Sequence, residues 1–135
     1  MKIVSEIIKK LDSITRKNEG KWENLVAYQS SEYNEVLRNY IIKCQKNYYT
    51  DFRNIYLDEQ GSYVFKTKEG GIFVVLRYEQ NYSDYYILAA QKTRYGKIVE
   101  LNTKNDLQLE LRNLVELINE TLDSIDSFIE SFLKE

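Results

Sequence analysis

The sequence predicts an α+β fold, with N-terminal helices, a four- to five-stranded antiparallel β-meander and a long C-terminal helix packed on the sheet. In the first 50 residues and again after residue 103, apolar residues recur at spacings of three and four, which is typical of amphipathic helices. Between these regions, β-branched and aromatic runs alternate with short turn clusters, which is typical of strands. The length of 135 residues, with 43% hydrophobic and 30% charged residues, indicates a single globular domain over residues 1–135.

The N-terminal region, residues 1–50, is predicted to be helical. Its first apolar stripe ends before Gly20, which suits a helix stop because glycine tolerates positive φ. The helical pattern resumes at Trp22 and continues to Tyr48, with Ser30 or Ser31 as a second cap. Two or three helices are therefore expected here. The first stripe consists of Ile3, Val4, Ile7, Ile8, Leu11 and Ile14.

The antiparallel sheet is predicted over residues 53–102. The turn clusters EQG, EGG, QNYS and RYG are too short to join anything but antiparallel neighbours. The run GIFVVL is apolar on both faces, which predicts a central strand covered on both sides, whereas SYVFKTK alternates as a half-exposed strand would. The predicted strands are RNIYLD (53–58), SYVFKTK (62–68), GIFVVLRYE (71–79), DYYILAAQKT (84–93) and KIVELN (97–102).

An acidic amphipathic helix is predicted over residues 104–134. Thr103 and Asp106 resemble a capping box at its start. Residues 106–135 carry eight acidic and two basic residues, a net charge of −6, and the rest of the chain carries 17 basic and 13 acidic residues, a net of +4. The apolar stripe is interpreted as a core face. Alternatively its outer end, with Ile125, Phe128 and Phe132, is a coiled-coil seam that forms a homodimer.

The composition excludes several classes of chemistry. The chain has no histidine, so it has no Ser-His or Cys-His nucleophile and no imidazole metal ligand. Its single cysteine, Cys44, excludes an internal disulfide and a cysteine-cluster metal site, and is expected to be a buried small hydrophobe. The carboxylates show no paired spacing. We therefore expect a protein that is not an enzyme, with no catalytic, cofactor-binding or metal-binding residues. A His-free RNA-cleaving site made of Arg77, Lys92, Arg94 and Tyr95 remains the alternative.

The N-terminal segment lacks the apolar region of a signal peptide, and no stretch approaches the length of a membrane span. These features predict a cytoplasmic protein with no membrane partner.

Tyrosines are concentrated in YEQNYSDYYIL, which holds four of the chain's 12. Tyrosine is enriched where surfaces recognise other molecules. Strand alternation places Tyr85 and Tyr86 on opposite faces and Tyr82 in the turn. The basic segment QKTRYGK follows on the same strand, and whether Tyr82 shares a face with it is left open. The predicted partner-binding residues are Tyr78, Tyr82, Tyr85, Tyr86, Lys92, Arg94 and Tyr95.

Three functions follow from these features. The leading hypothesis is a non-catalytic protein-binding module of the inhibitor or immunity type, because the acidic helix and the tyrosines both suit a protein partner. In size and composition the chain resembles small accessory proteins carried by phages and mobile elements, and the resemblance implies action on a host defence or toxin protein. The alternatives are a single-stranded nucleic-acid-binding protein that uses Tyr85 or Tyr86 with Lys92, Arg94 and Tyr95, and a self-associating structural module.

Overall fold

A computed structural model describes residues 2–50, 55–80, 83–122 and 125–135. These residues form five helices and a five-stranded antiparallel sheet of order β1-β2-β3-β4-β5, which confirms the predicted α+β class. The elements in chain order are α1 (Lys2–Arg16), β1 (Trp22–Asn24), α2 (Leu25–Ser31), α3 (Glu35–Thr50), β2 (Ile55–Lys66), β3 (Ile72–Gln80), β4 (Ser83–Gln91), β5 (Val99–Glu100), α4 (Gln108–Leu122) and α5 (Ile125–Leu133).

Helices cover both faces of the sheet, so the molecule has two cores. On one face, which we call the α1/α4 face, Val75 and Leu88 pack with residues of α1 and α4. On the other, the α2/α3 face, Val74 and Leu76 pack with residues of α2 and α3. Val74 and Val75 are adjacent in β3 and both fully buried. The predicted central strand covered on both sides is therefore confirmed.

Trp22 lies in a strand, and its predicted place in a helix is wrong. It begins β1, which pairs with β2 in the register Trp22 to Phe65. The indole Nε1 donates a hydrogen bond to Thr15 Oγ1 at 2.8 Å, and the ring lies 5.3 Å from that of Phe65. A three-residue strand is too short to show an alternating pattern. The helix that follows starts only at Leu25, where Asn24 Oδ1 accepts from the backbone N–H of Val26.

The cluster EQG is not a turn but part of a bulge inside β2, so residues 55–58 and 62–66 belong to one strand. Pairing to β3 shifts register between Asp58 and Tyr63. Asp58 Oδ1 accepts from the N–H of Gly61, and Arg77 of β3 pairs with Asp58 and, at 2.6 Å, with Asp84. Residues 53 and 54 of the predicted first strand lie outside the described residues. Two of the predicted strands are thus parts of β2, and β1 completes the five strands of the sheet.

The predicted half-exposed strand over residues 62–68 is also corrected. Tyr63, Val64 and Phe65 are all buried, because helices cover the sheet on both sides at this point. Lys66 is exposed, at the strand end.

The helix starts also differ from the prediction. Helix α3 is capped by Asn34 rather than Ser30 or Ser31, since Asn34 Oδ1 accepts from the N–H of Leu37 at 3.1 Å. The C-terminal helical region begins at Gln108 rather than residue 104, because residues 103–107 form a turn in which Leu107 has a φ of 58°. It contains α4 and α5, and residues 123 and 124 between them lie outside the described residues.

Helix α4 packs as predicted, but the described side chains of α5, those of residues 128–133, belong to neither core. The side chain of Ile125 lies outside the described part of the chain. The buried face of α4, with Leu111, Leu114 and Ile118, lies against α1 and the sheet. On α5 the side chains of Phe128 and Phe132 are 65% and 62% exposed. The predicted core face therefore ends with α4 among the described residues.

Candidate functional site

The tyrosines of YEQNYSDYYIL do not form one surface. Tyr78 and Tyr85 are cross-strand partners on the α2/α3 face, with stacked rings 4.9 Å apart. Tyr86 is buried on the α1/α4 face, so the prediction that Tyr85 and Tyr86 lie on opposite faces is confirmed. Tyr82 lies outside the described residues. Because Tyr78 and Tyr86 are buried and Tyr85 is half-buried, these three serve mainly as packing residues.

Tyr78 and Tyr85 belong to a polar cluster between α3 and the sheet. Tyr40 Oη donates to Glu100 Oε2 at 2.5 Å, which ties α3 to β5. Burial raises the pKa of Tyr40, of Tyr78 and of the Cys44 thiol. Cys44 is half-buried rather than fully buried. The raised pKa values keep these three groups protonated at neutral pH.

Ser83 and the segment QKTRYGK lie at opposite ends of β4. The strand runs from Ser83 to Gln91, and at roughly 3.3 Å per residue its two ends are about 26 Å apart. Lys92, Arg94 and Tyr95 therefore lie far from the start of β4, and Tyr82 lies outside the described residues.

Residues 92–97, which we call the basic loop, are anchored to the sheet by hydrogen bonds from buried side-chain amides. Gln91 Nε2 donates to the carbonyl oxygens of Arg94 at 3.1 Å and Gly96 at 2.8 Å. Its Oε1 accepts from Asn34 Nδ2 at 2.8 Å, and the same Nδ2 donates to Tyr28 Oη at 3.0 Å. Gln91 and Asn34 are both buried. These buried hydrogen bonds therefore stabilise the conformation of the loop.

Sequence reasoning missed Gln91 and Asn34, because Gln and Asn are usually surface residues. The available signal was the position of Gln91 at the end of an apolar strand, directly before a loop that contains Gly96.

The basic loop displays Tyr95 with 88% of its surface exposed. The cations beside it are partly organised by one carboxylate: Arg94 Nη2 lies 2.5 Å from Glu32 Oε2, and Lys66 pairs with the other oxygen of Glu32. The hydrogen bond from Lys66 is the main cause that holds the pKa of Glu32 below its usual 4.5. Lys92 and Lys97 are exposed and have no ion-pair partner among the described residues. The loop thus combines an exposed aromatic side chain with free positive charge.

Beside the basic loop, part of the α1/α4 face is not covered by a helix. Strand pairing places Trp22, Phe65, Phe73, Ala90 and Val99 in one row across the sheet. The first two are buried in the core, whereas the last three line a cleft of about 450 Å³. The residues at its border include Lys92, Lys97 and Glu69. We call this the lysine cleft. It has an apolar floor and a rim of two positive charges and one negative charge.

The hypothetical RNA-cleaving set is not brought together. Arg77 of β3 lies opposite Tyr86 of β4. Tyr86 is five residues from Gln91, so at roughly 3.3 Å per residue Arg77 lies about 17 Å from the start of the basic loop. Its guanidinium is engaged by Asp58, Asp84 and Glu79, which fix the bulge of β2.

The described ranges contain neither a metal-binding group of side chains nor a membrane-spanning helix. No group of three or more His, Cys, Asp or Glu side chains there is placed to hold a metal ion. None of the described helices has the length and apolar content that crossing a membrane requires.

Comparisons with protein-family models, with curated proteins and with solved structures gave no match for the chain.

Proposed function

We propose that the protein acts by binding another protein, without catalysis, and that the basic loop with Tyr95 is its principal contact surface. One observation carries the proposal: Tyr95 is 88% exposed on a loop whose carbonyls are fixed by the buried Gln91. A large aromatic side chain on a pre-organised loop loses little conformational entropy on binding, and tyrosine and arginine are enriched among residues that dominate binding energy. Loops on rigid scaffolds carry such roles more often than core positions do.

The charges around the loop indicate the chemistry of the partner. Five cations lie at this end of the sheet with the carboxylates Glu23, Glu32, Glu69 and Glu100, and Lys92 and Lys97 are the exposed cations of the basic loop that have no ion-pair partner among the described residues. An acidic protein surface fits this charge, which accelerates association more than it strengthens binding. As an inhibitor or immunity type of protein in the cytoplasm, the molecule would occupy such a surface and block it. The cations are Lys66, Lys68, Lys92, Arg94 and Lys97.

Affinity capture from extract of the native organism, read by mass spectrometry, tests the proposal. We expect Tyr95→Ala to weaken capture of a specific protein by about tenfold or more, since a buried aromatic anchor contributes on the order of 2 kcal/mol. The matched control is Tyr56→Ala, because Tyr56 is 54% exposed and lies at the other end of the sheet. Equal capture by the Tyr95 variant and the wild type would count against the proposal.

A second candidate function is single-stranded nucleic-acid binding by the same loop. Tyr95 lies between Arg94 and Lys97, so a base can stack on the ring while the cations contact phosphates. The burial of Tyr86 removes it from this role. Titration of a fluorescent oligonucleotide over a salt series distinguishes the two functions. Binding that falls steeply with salt and depends on Lys92 and Lys97 favours nucleic acid, and no binding at low salt excludes it.

A further inference from the structure

Two apolar surfaces of the molecule have no cover among the described residues. One is the stripe on α5, where Phe128, Ile129, Phe132 and Leu133 are all exposed. Their spacing places them on one side of the helix. The other is the lysine cleft, whose floor consists of Phe73, Ala90 and Val99. Contiguous exposed apolar surface of this kind marks a place where another molecule binds.

The two surfaces have complementary charge. Residues 125–135, which contain α5, carry Asp126, Glu130 and Glu135 against Lys134, a net charge of −2, and Glu130 and Glu135 are exposed beside the stripe. The cleft is bordered by Lys92 and Lys97, with Glu69 as a partly opposing charge. Pairing two copies of α5 with each other would instead bring two acidic helices together, which costs energy through like-charge repulsion. The charges therefore favour the cleft over a second α5 as the surface that receives the stripe.

Helix α5 has nine residues, about 14 Å at 1.5 Å per residue, and Phe128 and Phe132 lie about one turn apart on it. The cleft, at about 450 Å³, lies within the range of about 300–1,000 Å³ that is usual for ligand-binding clefts. Insertion of an amphipathic helix into an apolar groove is a common mode of protein recognition.

We propose that α5 of one copy docks in the lysine cleft of a second copy. The contact joins two different surfaces, so it closes as a two-fold dimer when two copies exchange α5 reciprocally and otherwise produces rings or open chains. It covers Lys92 and Lys97 of the basic loop, and in this respect the inference rests on the proposed function: self-association occupies part of the partner-binding surface and competes with the partner.

Sedimentation velocity of the purified protein over a concentration series tests this proposal. We expect the wild type to associate, and association to weaken as salt rises. Phe132→Asp should lower the association constant by about tenfold or more, because it places a charge in an apolar contact. The matched control is Leu109→Asp, since Leu109 is 65% exposed on α4 and outside both surfaces. Circular dichroism verifies that each variant is folded.

A charge exchange makes the test specific. The double variant K92E/K97E and the double variant E130K/E135K should each be monomeric alone, and an equimolar mixture of the two should associate. Association of K92E/K97E at the wild-type level would show that α5 pairs elsewhere and would overturn the proposal. A wild type that is monomeric at all concentrations would also overturn it. Because only the purified protein is used, either failure is independent of the capture experiment on the proposed function.

Discussion

Individual buried polar residues decide the shape of the candidate surface. Gln91 connects Asn34 to the carbonyls of Arg94 and Gly96, so one side chain links α3 to the basic loop. Removing a buried amide leaves its hydrogen-bond partners unsatisfied. The free-energy cost of those unsatisfied groups exceeds the net contribution of the hydrogen bonds to stability. The conformation of the loop therefore depends on a residue that is itself not exposed to a partner.

Replacing Gln91 by Ala should reduce the free energy of unfolding by about 1–3 kcal/mol, because it removes one of the partners of the buried Asn34 amide and leaves two loop carbonyls without their donor. Urea denaturation measures the change. Gln60→Ala is the control, since Gln60 is exposed. A Gln91 variant as stable as the control would show that the amide network does not hold the loop.

The buried phenols and thiol should make stability fall at alkaline pH. Burial raises the pKa of Tyr40, Tyr78 and Cys44 above their ordinary values of 10.0 and 9.0. These groups ionise first in the unfolded chain, so their contribution is complete below about pH 9 and is lost as pH rises toward the folded-state pKa values. The urea midpoint should therefore decrease above pH 9. Tyr40→Phe should make that decrease smaller, whereas Tyr95→Phe, at an exposed position, should leave it unchanged.

At the scale of the elements, the free edge of β4 is covered by side chains rather than by a long strand. Asn102 Oδ1 accepts from the N–H of Leu88 at 2.7 Å and Gln108 Oε1 from that of Tyr86 at 2.7 Å. Both side chains also donate to the carbonyl oxygen of Tyr86. Strand β5 has only two residues, and these amides bond the backbone groups of Tyr86 and Leu88 that it leaves unpaired.

Asn102→Ala should therefore destabilise the protein by about 1–3 kcal/mol, since it leaves the buried N–H of Leu88 without its acceptor and removes one of the two donors to the Tyr86 carbonyl. Thermal or urea unfolding measures this effect, and Asn105→Ala, at an exposed position of the same turn, is the control. A loss of stability no greater than that of the control would contradict the role of Asn102 as an edge cover.

Long periodic elements could be predicted from the sequence, and short or irregular ones could not. The β-branched and aromatic runs of β3 and β4 and the apolar stripe of α4 identified those elements because each extends over nine or more residues. Strand β1 has three residues, and the bulge in β2 contains Gly61, which looks like a turn residue. In both cases pairing with a neighbouring strand, which is not encoded locally, determines the conformation.

At the scale of the whole molecule, positive and negative charge are separated. The sheet end with the basic loop is positive, and the C-terminal helices are negative. The sequence predicted this asymmetry, and it predicted Lys92, Arg94 and Tyr95 as binding residues. It did not predict that the tyrosines 78, 85 and 86 would be taken up by two cores, because alternation shows that neighbours face opposite sides but not whether helices cover both.

Photo-crosslinking in the native cell tests the central claim most directly. A benzoylphenylalanine side chain in place of Tyr95 lies at the exposed tip of the basic loop, and the same group in place of Tyr56 lies at the other end of the sheet. We predict that irradiation joins position 95, but not position 56, to a specific second protein, identified by mass spectrometry. Two results would contradict the account. One is that position 95 gives adducts with nucleic acid but none with protein, and the other is that position 56 gives a protein adduct and position 95 gives none.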